Sequence, residues 1–238
     1  MTSRLPIPAA ALRSLIYPSF ALREESPMKF YYAQIARTLV VLSAFIAVTN
    51  ANVGHADDTW RIEEDWELVL GTPDRDTVSP QATCTFAPTG NLDSFYAVFD
   101  LNLRNFPSYE AGGVQLQLWN GDSSVEAIRE KAGYTLRTDG ETITWTQRMT
   151  VNDHKLQFAI VNGNSTTWGQ FGTSSAIAIT IPSELQNLNS YSSELSVENS
   201  GIGFGANRVS SLRLVRTRAY SDEEVYQDTT PRVVYPKP

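Results

Sequence analysis

From Trp60 onward the chain alternates apolar and polar residues with a period of two, and this rhythm constrains the fold more than any other feature. Successive side chains of a strand point to opposite faces, so such alternation marks strands that are buried on one side only. Trp60, Ile62, Glu64, Trp66, Leu68 and Leu70 share one face of the first segment, with Arg61, Glu63, Asp65, Glu67 and Val69 on the other. Phe95, Ala97, Phe99, Leu101 and Leu103 form a second apolar set, and Val114, Leu116 and Leu118 a third, whose opposite face carries Gln115, Gln117 and Trp119. Leu156, Phe158 and Ile160, then Ile177, Ile179 and Ile181, continue the pattern. Turn residues separate the runs. Asp139-Gly140 precedes Ile143-Thr144-Trp145, and Asn162-Gly163-Asn164 precedes Trp168-Gly169-Gln170-Phe171; both predict hairpins, because Asn, Asp and Gly tolerate positive φ. Helical periodicity is confined to Ser123–Ala132, closed by Gly133, and to a turn near Glu184-Leu185. The expected fold class is all-β: a two-sheet antiparallel β-sandwich of the jelly-roll kind.

The N-terminal part follows different rules. Lys29 and Arg37 precede the apolar run Leu39–Val48, and small-residue sites follow at Thr49-Asn50-Ala51 and Gly54-His55-Ala56. This is the layout of a secretory signal peptide over 28–56, preceded by residues 1–27 with no strand or helix rhythm. The apolar run is too short to span a membrane, which takes roughly 20 residues. The expected organisation is a leader over 1–27, a signal over 28–56, a β-sandwich domain over 57–225 and an extended tail over 226–238. Export then places the product in the secreted, periplasmic or cell-surface compartment, without a stable membrane span.

The net charge of −7 becomes more negative once leader and signal are lost, because together they carry five basic residues (Arg4, Arg13, Arg23, Lys29 and Arg37) and only two acids (Glu24 and Glu25). An acidic chain repels phosphate backbones, so nucleic acid is excluded as a partner. Cys84 is the only cysteine, which rules out an internal disulfide and leaves stability to packing. Its place among Ala82-Thr83-Cys84-Thr85-Phe86 predicts a buried, inert thiol.

Near the C-terminus, Gly201-Ile202-Gly203-Phe204-Gly205-Ala206-Asn207-Arg208, then Ser211-Leu212-Arg213-Leu214 and Arg218-Ala219-Tyr220-Ser221-Asp222-Glu223-Glu224-Val225, resemble the closing part of concanavalin-A-like, laminin-G-like jelly-roll domains. Tyr220 stands where an aliphatic is usual in that pattern, and one extra residue lies between Leu212 and Arg218. The resemblance implies two stacked sheets, one of them concave, and often a carbohydrate or extracellular protein as ligand.

Three classes of function are compatible with these residues. In the preferred one the chain is a non-catalytic recognition module. Gln115, Gln117 and Trp119, with Asn120, Asn162, Asn164 and Trp168 near predicted hairpin ends, offer indoles to stack on a pyranose and amides to bond its hydroxyls. The alternative is a glycoside hydrolase acting on a β-glucan-like polysaccharide. Glu63, Asp65 and Glu67 place three carboxylates on one strand face, the reaction needs two, and the spacing is similar to the Glu-x-Asp-x-Glu strand motif of laminarinase-like glucanases. The third is a structural or adhesive envelope protein. No cofactor is called for. A structural calcium, which takes six to eight oxygens, would draw on Asp74, Asp76, Asp93, Asp100, Asp122 or Asp139. His154, in the loop Asn152-Asp153-His154-Lys155, reads as a surface histidine.

Overall fold

A computed structural model describes residues 58–72, 79–103, 112–136 and 138–237. The expected leader and signal, together with Asp74 and Asp76, lie outside the described residues. Thirteen strands and one short helix follow in order: β1 (Arg61–Leu70), β2 (Gln81–Phe86), β3 (Phe95–Leu101), β4 (Val114–Asn120), β5 (Ser123–Glu130), β6 (Thr142–Asn152), β7 (Lys155–Ser165), β8 (Gly169–Phe171), β9 (Ile177–Pro182), α1 (Ser193–Glu198), β10 (Gly201–Phe204), β11 (Val209–Tyr220), β12 (Val225–Asp228) and β13 (Arg232–Tyr235). They form two antiparallel sheets. The larger, of eight strands, runs β12-β11-β1-β6-β7-β8, with β13 also on β11 and β9 also on β7; the smaller, of five, runs β10-β2-β3-β4-β5.

The alternating apolar sets are what the sheets bury against each other. Phe99, Leu101, Leu116 and Leu118 from the small sheet, and Leu68, Phe158, Ile160, Ile177 and Leu212 from the large one, are fully buried. Rings bridge the layers. Phe86 meets Phe158 edge-on at 5.4 Å between centroids, and Phe99 meets Trp145 at 5.7 Å and Phe171 at 6.2 Å. Trp145 stacks on Trp66 within the large sheet, 6.2 Å apart and 7° from parallel. The molecule is a β-sandwich. Cys84 belongs to this core, and burial pushes its thiol well above the usual range, so the sulfur is inert.

Local structure departs from expectation at five places. Glu184-Leu185, expected as a helical turn, has no regular structure, and the one α-helix among the described residues is α1, further on. Ser123–Ala132 contains strand β5, not a helix: it pairs with β4 from Asn120↔Ser123 to Val114↔Glu130. As the edge strand of the small sheet it is exposed at its start and only half-buried at its end, so no alternation marks it. Asn162-Gly163-Asn164 is not a turn, because β7 runs through it to Ser165 and the reversal falls at 166–168. The positive φ signalled by composition is real (Asn162, 55°), but it serves a bulge, where Thr146 pairs with Val161 and Thr144 with Asn164. Asp139-Gly140 does form a turn with Gly140 at φ 66°, yet only its second arm is a strand. Lastly, 226–238, set apart in the sequence as a tail, supplies most of β12 and all of β13, both paired to β11.

Candidate functional site

The residues picked out by strand phase on β4 do face away from the core, but that face is covered. Gln115 and Trp119 are only 2% and 8% exposed, and Gln117 is half-buried. Trp119 stacks on Tyr96, 6.5 Å away and 13° from parallel. Beside them Asp100, 4% exposed, accepts hydrogen bonds from Gln117 Nε2 at 2.6 Å and Thr83 Oγ1 at 2.7 Å. Burial pushes the Asp100 carboxyl up, against the opposing pull of Thr83, Gln117 and Gln81. Asn120 is exposed at the end of β4. Trp168 is buried and ties the β7–β8 turn to the neighbouring segment through Nε1 to the Tyr134 carbonyl, 2.7 Å away. The five residues therefore do not converge on one open surface.

Glu63, Asp65 and Glu67 share the outer face of the large sheet, on its central strand, as the alternation requires. Each is engaged by β11. Glu63 accepts from Tyr220 Oη at 2.7 Å and pairs with Arg218 at 3.0 Å. Asp65 takes Arg216 Nε at 2.7 Å, Arg218 at 2.8 Å and Thr146 Oγ1 at 2.8 Å; Glu67 takes Arg213 at 2.6 Å. The carboxylate lone pairs a hydrolase would use on substrate and water are occupied by guanidinium and hydroxyl donors. Glu64, between them in sequence, points inward and is fully buried. It accepts from Tyr191 Oη and Ser196 Oγ at 2.6 Å each, from Trp66 Nε1 at 2.9 Å and from Gln147 Nε2 at 3.3 Å. Burial raises its pKa despite those donors and the more distant charge of Arg232. This inward acid cross-links β1, β6 and α1.

Along the same outer face, beyond the acid ladder, lies an open groove of about 620 Å³ lined by Arg148, Val161, Asn162, Gly163, Asn164, Gln170, Gly172 and Thr173–Ser175. Its shape follows from the bulge in β7. Leu156, Phe158 and Ile160 point inward, and the extra residue at Asn162 turns that amide outward, where Nδ2 reaches Thr146 Oγ1 at 3.4 Å. Gly163 then faces the core, where any β-carbon would sit 2.2 Å from the Phe171 ring. Gly172, at φ 67°, lies against the Ile160 carbonyl, so a β-carbon there would be 2.3 Å from that oxygen. Two buttresses hold the β7–β8 hairpin. Glu141, 3% exposed, accepts from Ser165 Oγ, from Thr167 N at 2.8 Å and from Thr167 Oγ1 at 2.5 Å. Glu130 accepts from Gly172 N at 2.9 Å. Asn162, Asn164, Gln170, Thr173, Ser174 and Ser175 are exposed into the opening, and Arg148 is half-buried at its floor on β6.

The sugar-binding reading of the sequence includes Asn162 and Asn164 as amides near predicted hairpin ends, and it misses Arg148, Gln170 and Thr173–Ser175. The outward phase of Arg148 was readable from the inward positions of Trp145 and Met149 beside it. Among the other candidate residues, Asp93, Asp122, Asp139 and His154 are exposed. Asp153 and His154, at φ 48° and 57°, are the two central residues of the tight β6–β7 turn. No three His, Cys, Asp or Glu side chains among the described residues gather as a metal site.

Fold and groove together define a β-sandwich with a polar cleft on one outer sheet face. No family model matches the chain, and no curated protein does. Among solved structures, one of SCP-B, a member of the eqolisin family of peptidases in a complex with the tripeptide Ala-Ile-His, is similar at 11% identity over 74% of this chain and 82% of that one. Its TM-score of 0.29 is too low to bear on fold or function.

Proposed function

We propose that this protein is an exported, non-catalytic recognition module that takes a saccharide into the groove beside β7 and β8. The observation that carries the reading is the convergence of three side-chain amides and three hydroxyls in one open cleft, at Asn162, Asn164, Gln170, Thr173, Ser174 and Ser175. Amides and hydroxyls can both donate and accept, as sugar hydroxyls do, so they match a polyhydroxylated ligand. The lining holds no carboxylate or histidine, the usual groups for proton transfer, and that supports binding without turnover. The concanavalin-A-like, laminin-G-like resemblance of Gly201–Val225 agrees with a carbohydrate ligand, and the N-terminal signal pattern with export.

Without an aromatic platform in the lining, affinity rests on hydrogen bonds exchanged with water. Dissociation constants between about micromolar and millimolar are expected. Glycan-array screening followed by calorimetric titration tests the reading. Asn162→Ala should weaken the best sugar at least about fivefold, since one hydrogen bond is worth roughly 1 kcal/mol, and Gln117→Ala should leave binding unchanged. Failure of every sugar would return the protein to the structural or protein-binding class.

A further inference from the structure

The geometry points to an anionic saccharide, a uronate, whose carboxylate is held by Arg148; this rests on the saccharide reading of the groove. Arg148 stands opposite Glu63 in the β1–β6 register, yet the two side chains form no ion pair, because Glu63 is turned to Tyr220 and Arg218 on the other side of β1. On its other flank Arg148 faces Ala159, whose methyl group offers no charge. None of the groove's lining residues is acidic. A half-buried guanidinium therefore sits in the cleft with no carboxylate partner among the described residues, in a protein of net charge −7, where anions are the commoner surface charge. Arg213, Arg216 and Arg218 on the same sheet face each have one.

The backbone around the groove supports the same assignment. Seven non-glycine residues of the described chain have positive φ, and three of them, Asn162, Ser174 and Ser175, line this cleft. Such conformations persist where surrounding structure imposes them, and they cluster where side chains must be aimed at a ligand. Here they put an amide and two hydroxyls into the lining that Arg148 shares. A planar carboxylate on a pyranose ring would take two parallel bonds from the guanidinium fork, and the ring hydroxyls would fall to the amides. An acidic peptide could supply the carboxylate but not the ring of hydroxyls that the six neutral polar side chains match.

Calorimetry on the full chain at low salt decides the matter with four probes: tetragalacturonate, the neutral galactose tetramer, its sulfated form and a glutamate tetrapeptide. Tetragalacturonate should bind at least about tenfold more tightly than the neutral tetramer, and Arg148→Gln should remove that advantage while thermal melting stays unchanged. Arg148→Lys, which keeps the charge and loses the fork, should retain only part of it. Sulfated sugar or peptide binding as tightly as the uronate would overturn the uronate assignment. So would neutral and acidic tetramers binding alike, with Asn162→Ala weakening both and Arg148→Gln neither, although the saccharide reading would then survive. If no saccharide binds at all, that reading falls and this inference with it.

Discussion

On the outer face of the small sheet, Gln117 and Thr83 both donate to Asp100, and Trp119 lies against Tyr96. On the outer face of the large sheet, the acids of β1 are matched with arginines of β11, but Arg148 has no such carboxylate among the described residues, and the amides beyond it are exposed. Both faces are polar by strand phase. What separates them is access: the small-sheet groups are covered by their neighbours, whereas the groups that converge on the open groove are available to a ligand.

The comparison requires that both faces hang on one core, and the largest perturbation should therefore damage them together. Phe158→Ala removes a fully buried ring that meets Phe86 across the sheets, at a cost of about 3–5 kcal/mol. Urea unfolding followed by tryptophan fluorescence and by circular dichroism should show one coincident, weakened transition. Two separated transitions would mean that the sheets are not one cooperative unit.

A smaller change should strike the small sheet alone. Asp100→Ala leaves the Gln117 amide and the Thr83 hydroxyl without their acceptor in a covered setting, costing about 1–3 kcal/mol. Ligand affinity at the groove should be unaffected, and a loss of binding equal to that in a groove variant would erase the distinction between the faces.

Stability should also fall as pH rises, through the inward acid. Burial raises the folded-state pKa of Glu64, so between its unfolded and folded values the native state holds a proton that the unfolded chain has released. Stability from this source is complete below the unfolded carboxylate value and is lost as pH climbs through the folded one. Glu64→Gln cannot titrate, so its stability relative to the parent should improve from acid toward neutral pH in parallel urea titrations. A difference that does not vary with pH would refute the account of Glu64. The smallest effect belongs to Arg148→Gln, which breaks no ion pair among the described residues and should change stability by no more than about 0.5 kcal/mol.

How much of this was legible in the sequence depends on what each signal measures. Period-two alternation reports which side of a strand is buried, and it gave the inward set from Phe99 to Ile179 because a two-layer sandwich buries one face of every central strand. It cannot report whether the opposite face is open. Gln115, Gln117 and Trp119 were assigned outward correctly by phase, and neighbours then covered two of them, a tertiary fact with no local trace. The Asn162-Gly163-Asn164 composition correctly indicated unusual backbone, but a turn and a bulge ask for the same residues, and only pairing with β6 distinguishes them. β5 escaped because an edge strand exposed over half its length carries no alternation. Arg148 was invisible as a site, since nothing in a strand reveals which of the arginines on one sheet face lacks a carboxylate partner.

The most direct test of the central claim, that the large-sheet groove and not the small-sheet face is the recognition surface, is a titration of isotope-labelled protein with tetragalacturonate, followed by NMR of the side-chain amides. The account predicts progressive shifts at Asn162, Asn164 and Gln170, with Gln115, Gln117 and the Trp119 indole unmoved. Shifts confined to Gln117, Trp119 and Asn120 would contradict it.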